Sequence, residues 1–149
     1  MRSYPIKPPT YLLIGIFLVV ILHFVFPVMT LVPSPWTLLG IIPLVWGLVV
    51  NLRADQIFHE AATPVCPYEA SSALVTSGPY RFTRNPMYLG FTSVLLGVSI
   101  LAGSLTPFLI AIAFALLMDR MFIRMEEPKL AAAFGAQWEE YKRGTRRWL

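Results

Sequence analysis

Two long stretches of this chain, from Lys7 to Arg53 and from Arg84 to Asp119, carry no formal charge between their ends. Crossing the hydrocarbon core of a bilayer takes about 20 apolar residues, so each stretch has room for two crossings. Each also has a turn signal near its middle. Val32-Pro33-Ser34-Pro35 divides the first, because proline lacks the amide donor a helix needs and biases the preceding residue away from helical angles. Gly103-Ser104-Leu105-Thr106-Pro107 divides the second. The reading is an all-α integral membrane fold: four spans in two hairpins, at about 11–31, 36–52, 87–102 and 108–123, with a polar loop over 53–86.

Composition agrees. The chain is 56% hydrophobic and 13% charged, against roughly 45–50% and 25% for an average soluble domain, which excludes an ordinary soluble enzyme and a disordered chain. Its 149 residues allow a single domain. With turns only at 33–35 and 103–107, all twelve basic and eight acidic residues lie on one side of the bilayer. The positive-inside rule makes that side, with both termini, cytoplasmic. A fifth span over 57–76 is rejected, since it would bury Glu60 and Glu69 at about 2.5–3.5 kcal/mol each, along with Pro64 and Pro67. The first apolar run exceeds the about 7–15 residues of a secretory signal core and lacks a cleavage site, so it reads as a retained anchor.

Other classes fall away. Cys66, the single cysteine, forms no internal disulfide, and His23 and His59 with it make no zinc set of usual spacing. The basic tail 142–147 suits anionic lipid headgroups, at about 1 kcal/mol per basic residue, better than nucleic acid. Mid-span His23 reads as polar repair of a kink at Pro27, and Pro43 as a kink in the second span. Gly40, Gly47, Gly90, Gly97 and Gly103 favour close helix packing.

Two clusters carry chemistry. In Ser77-Gly78-Pro79-Tyr80-Arg81-Phe82-Thr83-Arg84-Asn85-Pro86-Met87-Tyr88-Leu89-Gly90, a polar loop runs into the third span. Asn85 is a favoured N-cap and Pro86 suits the first helical position. A helix starting there offers free amides and the positive end of its dipole to a carboxylate or phosphate, which Arg81 and Arg84 reinforce. The same residues also suit a plain cap with interfacial arginines.

In the second cluster, Asp119 to Pro128, helical spacing puts Asp119, Ile123 and Glu126 on one stripe and Arg120, Arg124 and Glu127 on the next. Pro128 is expected to break the helix, leaving Glu127 at the joint. Beyond it, Leu130, Phe134, Trp138 and Tyr141 line one face of an amphipathic interfacial helix over 128–143.

Together the two clusters resemble a family. The order Gly78-Pro79-Tyr80, Arg84-Asn85-Pro86-Met87-Tyr88-Leu89-Gly90, then Glu126-Glu127, Leu130, Phe134-Gly135, Trp138 and Tyr141 is similar to the C-terminal half of integral-membrane methyltransferases. These are the isoprenylcysteine carboxyl methyltransferases and phospholipid N-methyltransferases. The likeness covers about residues 75–143 and departs at Asn85, where the family usually has histidine; the amide keeps a neutral hydrogen-bonding side chain.

The resemblance implies S-adenosylmethionine as methyl donor. Tyr80, Arg84, Asn85, Tyr88, Glu126 and Glu127 are its expected contacts, and Glu126 and Glu127 the expected catalytic carboxylates. The expected acceptor is lipid-like, because a site at the inner leaflet can admit a substrate sideways between spans while the polar cofactor enters from water. The alternatives are a membrane oxidoreductase of the sterol-reductase type, whose members are much longer, and a non-catalytic protein binding lipids or partners.

Overall fold

The computed structural model describes residues 6–66, 68 and 71–149; Arg2, Pro67 and Glu69 lie outside the described residues. All regular elements among these are helical. Helix α1 is Pro8–Val25; a 3₁₀ turn, Trp36–Gly40, leads into α2, Ile41–Glu60. A second 3₁₀ turn, Gly78–Arg81, precedes α3, Pro86–Ala102. Helix α4, Leu105–Met118, passes through a π-helical turn, Asp119–Ile123, into α5, Arg124–Gly144.

Among the described residues, three stretches are long and apolar enough to cross a membrane: Pro8–Val25, Trp36–Glu60 and the one starting at Leu105. Helix α3, at 17 residues, is shorter and packs against α1, α2 and α4. Phe17, Phe24, Trp36, Ile42, Leu52 and Ile112 are exposed, as large side chains facing lipid would be.

Glycine sets the closest approach. Gly40 and Gly47 on one side face Gly97 and Gly90 on the other, and a methyl group on Gly47 would collide with the Gly90 carbonyl. The backbones of α2 and α3 therefore run against each other. On the other side of α3, the core is Val19, Leu95, Phe114, Met118, Phe122 and Ile123.

The two expected turns meet at one end. The Leu31 and Val32 amides donate to the Gly103 carbonyl at 2.8 and 3.0 Å, and Leu105 N–H donates to Met29 at 2.8 Å. Gly103, at φ +77°, ends α3 in the left-handed conformation that favours glycine. His23 Nδ1 lies 2.9 Å from Ser104 Oγ, tying α1 to this turn.

Several boundaries differ from the hydropathy reading. Helix α1 stops at Val25, short of Leu31. Pro27 cannot donate to the His23 carbonyl, so it ends the helix where a kink was expected. Pro43 falls in the first turn of α2, just past the point where the 3₁₀ turn Trp36–Gly40 gives way to α-helix. Helix α2 runs on to Glu60, past the expected end at Leu52, which makes Arg53 and Asp55 helical. Loss of hydropathy marks where lipid would end, and a helix leaving lipid keeps its own hydrogen bonds.

Candidate active site

The start of α1, the end of α2, the start of α3 and the first half of α5 converge at the end of the bundle away from the paired turns. They enclose, with the loop before α3, a cavity of about 560 Å³, within the range of small-molecule sites. Pro8, Phe58, Val65, Leu74 and Phe91 give it apolar walls. Tyr80, Arg84, Asn85, Tyr88, Glu126 and Glu127 all line it. The structure thus brings these six expected contacts into one hollow, whereas Arg81, expected to reinforce the start of α3, is exposed and outside its lining.

Arg84 is nearly buried, with 9% of its side chain exposed. Its Nη1 donates to the Lys142 and Thr145 carbonyls at 3.0 and 2.9 Å, and Nη2 to Glu127 Oε1 at 3.0 Å. The guanidinium also lies 5.7 Å from the Trp138 ring centre. A guanidinium has five N–H donors. Two remain, one on Nη2 and one on Nε, which is buried without a partner.

Asn85 stands at the N-cap of α3 with Pro86 behind it, as the sequence indicates, yet its side chain makes no cap hydrogen bond. Its Nδ2 donates instead to the Arg147 carbonyl at 2.9 Å. Tyr80 is buried in the 3₁₀ turn, its ring 5.4 Å from that of Phe58. Its carbonyl accepts from the Tyr141 hydroxyl at 2.7 Å, and burial pushes its phenol above the usual range.

The two glutamates differ. Glu126 Oε1 accepts from the Tyr88 hydroxyl at 2.7 Å. Burial pushes its carboxyl up to about 7, although Tyr88 and Lys129 pull the other way. Glu127 is held by two guanidiniums: Oε1 accepts from Arg84 at 3.0 Å and from Arg147 Nε at 3.1 Å, while Oε2 accepts from Arg147 Nη2. Neighbouring acids thus have different electrostatic settings.

Backbone geometry corrects the expected stripes. The π turn adds a residue to the helical turn, so Asp119 pairs with Arg124, five residues on, at 3.2 Å. Asp119 then also meets Arg147 and Trp148, at 3.8 and 3.3 Å, away from Glu126 and Tyr88. Pro128 sits inside α5 and leaves Glu127 helical. The breaks fall at the π turn and at Gly135, whose φ of 50° and ψ of −117° are non-helical. The expected continuous stripe is divided there, and Trp138 is buried on the far side of the break.

Sequence reasoning missed the segment Thr145–Trp148. It lies along Thr83–Asn85, with Arg84 N–H donating to the Arg146 carbonyl at 2.8 Å and Thr83 Oγ1 to that of Arg147 at 3.0 Å. In sequence, Arg147 is one more basic residue beside a span. Its pairing with Glu127 depends on the chain reversing after Gly135, which no local pattern signals.

The fold and the cavity together define a helical protein with membrane-length apolar helices and a small-molecule-sized hollow lined by an arginine and two unlike glutamates. The family model for phospholipid methyltransferase matches residues 35–137, and the chain belongs to that family. It is 36% identical over 73 residues to a protein-S-isoprenylcysteine O-methyltransferase of Schizosaccharomyces pombe, covering 47% of this chain and 30% of that one. Protein-S-isoprenylcysteine O-methyltransferase A of Arabidopsis thaliana is 39% identical over 107 residues, 68% of this chain and 53% of that one. The cobalt-zinc-cadmium resistance protein CzcN of Cupriavidus metallidurans is 40% identical over 76 residues, 50% and 34% of the two chains. The chain thus spans from under a third to about half the length of these relatives. No solved structure matches it.

Proposed function

We propose that this protein is a membrane methyltransferase that uses S-adenosylmethionine and acts on a lipid-like or prenylated acceptor at the cytoplasmic leaflet. Residues 1–149 form one domain in this reading. Four spans hold it in the bilayer, the part of α5 after Pro128 rests at the interface, and the termini and active site face the cytoplasm. Family membership supports the chemistry. The observation that carries the site assignment is a cavity lined by both sequence clusters, with Arg84 in its lining and the buried Nε of that arginine left without a partner.

The residues fit the cofactor. A carboxylate needs neighbouring donors, and the two remaining Arg84 donors lie on adjacent nitrogens of one planar group. Pro86 and Met87, at the start of α3, also line the cavity, where the helix dipole favours negative charge. Glu126 and the Tyr80 and Tyr88 hydroxyls would take the amino group and ribose hydroxyls. When bound, S-adenosylmethionine supplies a methyl group on a positively charged sulfur for in-line displacement.

The protein's own task is alignment and exclusion of water. The aromatic rings and apolar loop side chains around the cavity do the second. A carboxylate or thiolate acceptor needs no base. An amine acceptor must lose a proton, and Glu126, ionised above about pH 7, takes it while Tyr88 steadies the carboxylate. A methylation assay comparing lipidic with water-soluble acceptors tests the substrate class. Methyl transfer confined to the lipidic ones is expected; equal transfer to both would contradict it.

A further inference from the structure

The inference concerns Arg147 and rests on the methyltransferase reading. Glu127 has two oxygens, and Arg84 has two adjacent donors to spare. A carboxylate beside a guanidinium prefers to take two parallel hydrogen bonds. Left to itself, Glu127 would turn both oxygens onto Arg84 and consume the edge a ligand carboxylate needs. In the structure it makes one bond to Arg84, because Arg147 occupies Oε2 and shares Oε1. Arg147 in turn is fixed by its backbone: its carbonyl accepts from Thr83 Oγ1 and Asn85 Nδ2, the residues on either side of Arg84. Asp119, 3.8 Å away, adds a second acid on the side remote from Glu126.

We infer that Arg147 is a positioning residue of the cofactor site, holding Glu127 off Arg84 Nε so that this buried donor stays unpaired and available to the cofactor's carboxylate. Glu127 then serves as the strut between the two arginines and does not contact the ligand. The segment Thr145–Trp148 is part of the active site, in place of the lipid-headgroup anchor that its basic composition suggests.

The test is titration of the purified full chain in detergent micelles with S-adenosylhomocysteine, comparing wild type, R147A, R147K and the double variant R147A/E127Q, each checked for helix content. R147A is expected to weaken binding at least tenfold, because Glu127 closes on Arg84. R147K, which can hold one oxygen, is expected to fall between. The distinguishing variant is the double one: removing the charge from position 127 reopens the Arg84 edge, so R147A/E127Q is expected to regain most of the lost affinity. A merely structural tail predicts the reverse, with the second substitution leaving binding as weak or weaker. That result, or R147A binding like wild type, would overturn the role of Arg147 alone. A wild-type protein that binds no S-adenosylhomocysteine would overturn the methyltransferase reading, and this inference with it.

Discussion

The Tyr88 hydroxyl donates to Glu126 Oε1 at 2.7 Å, joining the first turn of α3 to the first turn of α5. The bond links two sequence clusters 38 residues apart. It places a carboxyl group of raised proton affinity against the cavity that Arg84 also lines. One wall thus carries a fixed positive charge and another a titrating acid.

Arg84 offers the ligand a fork, and a lysine offers only a point charge. Both Arg84→Ala and Arg84→Lys are therefore expected to weaken S-adenosylhomocysteine binding by tenfold or more. Calorimetric titration checks this; Arg84→Lys binding as wild type would remove the fork from the account.

Glu126 makes stability depend on pH with a definite sign. Its carboxyl is raised in the fold to about 7 from an ordinary 4.5, so folding favours the protonated form. The resulting stabilisation is complete below about pH 4.5 and is lost as pH rises through about 7. Glu126→Gln keeps a neutral side chain at every pH. Its melting temperature is expected to exceed that of wild type by a few degrees at pH 8 and to match it at pH 4.5. Thermal melts in detergent at the two pH values decide the matter.

The α2–α3 contact depends on missing side chains. Gly47→Ala would drive a methyl group into the Gly90 carbonyl and is expected to cost about 1–3 kcal/mol. Nothing lies within 4 Å of a Cβ on Gly144, so Gly144→Ala serves as the control. A thermal melt in which the two variants coincide would contradict the close approach.

Gly135 reverses the chain so that Trp138, Tyr141 and Arg147 reach the site. Its φ of 50° and ψ of −117° suit only glycine, and strain at such positions is of order 1–3 kcal/mol. Gly135→Ala should straighten α5, expose Trp138 and reduce cofactor affinity several-fold. Quenching of tryptophan fluorescence by a water-soluble quencher reports the first effect; unchanged quenching would count against it.

The legible parts of the fold follow from physics that acts locally. Charge-free runs and Pro/Gly turns located the breaks between α1 and α2 and between α3 and α4, and Asn85-Pro86 marked the start of α3, because those effects act within a few residues; that α1 packs on α3 and α4 was not legible. Helix ends were less legible: α2 continues past Leu52 because hydropathy reports the surrounding solvent, whereas backbone hydrogen bonds carry the helix on to Glu60. The six candidate residues were picked out through two clusters of recognisable spacing, and they line one cavity. Their partners were not, since the Arg147–Glu127 pair requires both the π turn and the reversal at Gly135. Those two backbone irregularities redirect side chains without any change in composition.

The central claim is that the hollow between Arg84 and Glu126 receives a sulfonium nucleotide. Parallel calorimetric titrations of the detergent-solubilised protein with S-adenosylhomocysteine and with reduced nicotinamide dinucleotide phosphate test it most directly. The account predicts saturable one-to-one binding of the first and none of the second; binding of only the nicotinamide nucleotide, or of neither, would contradict it.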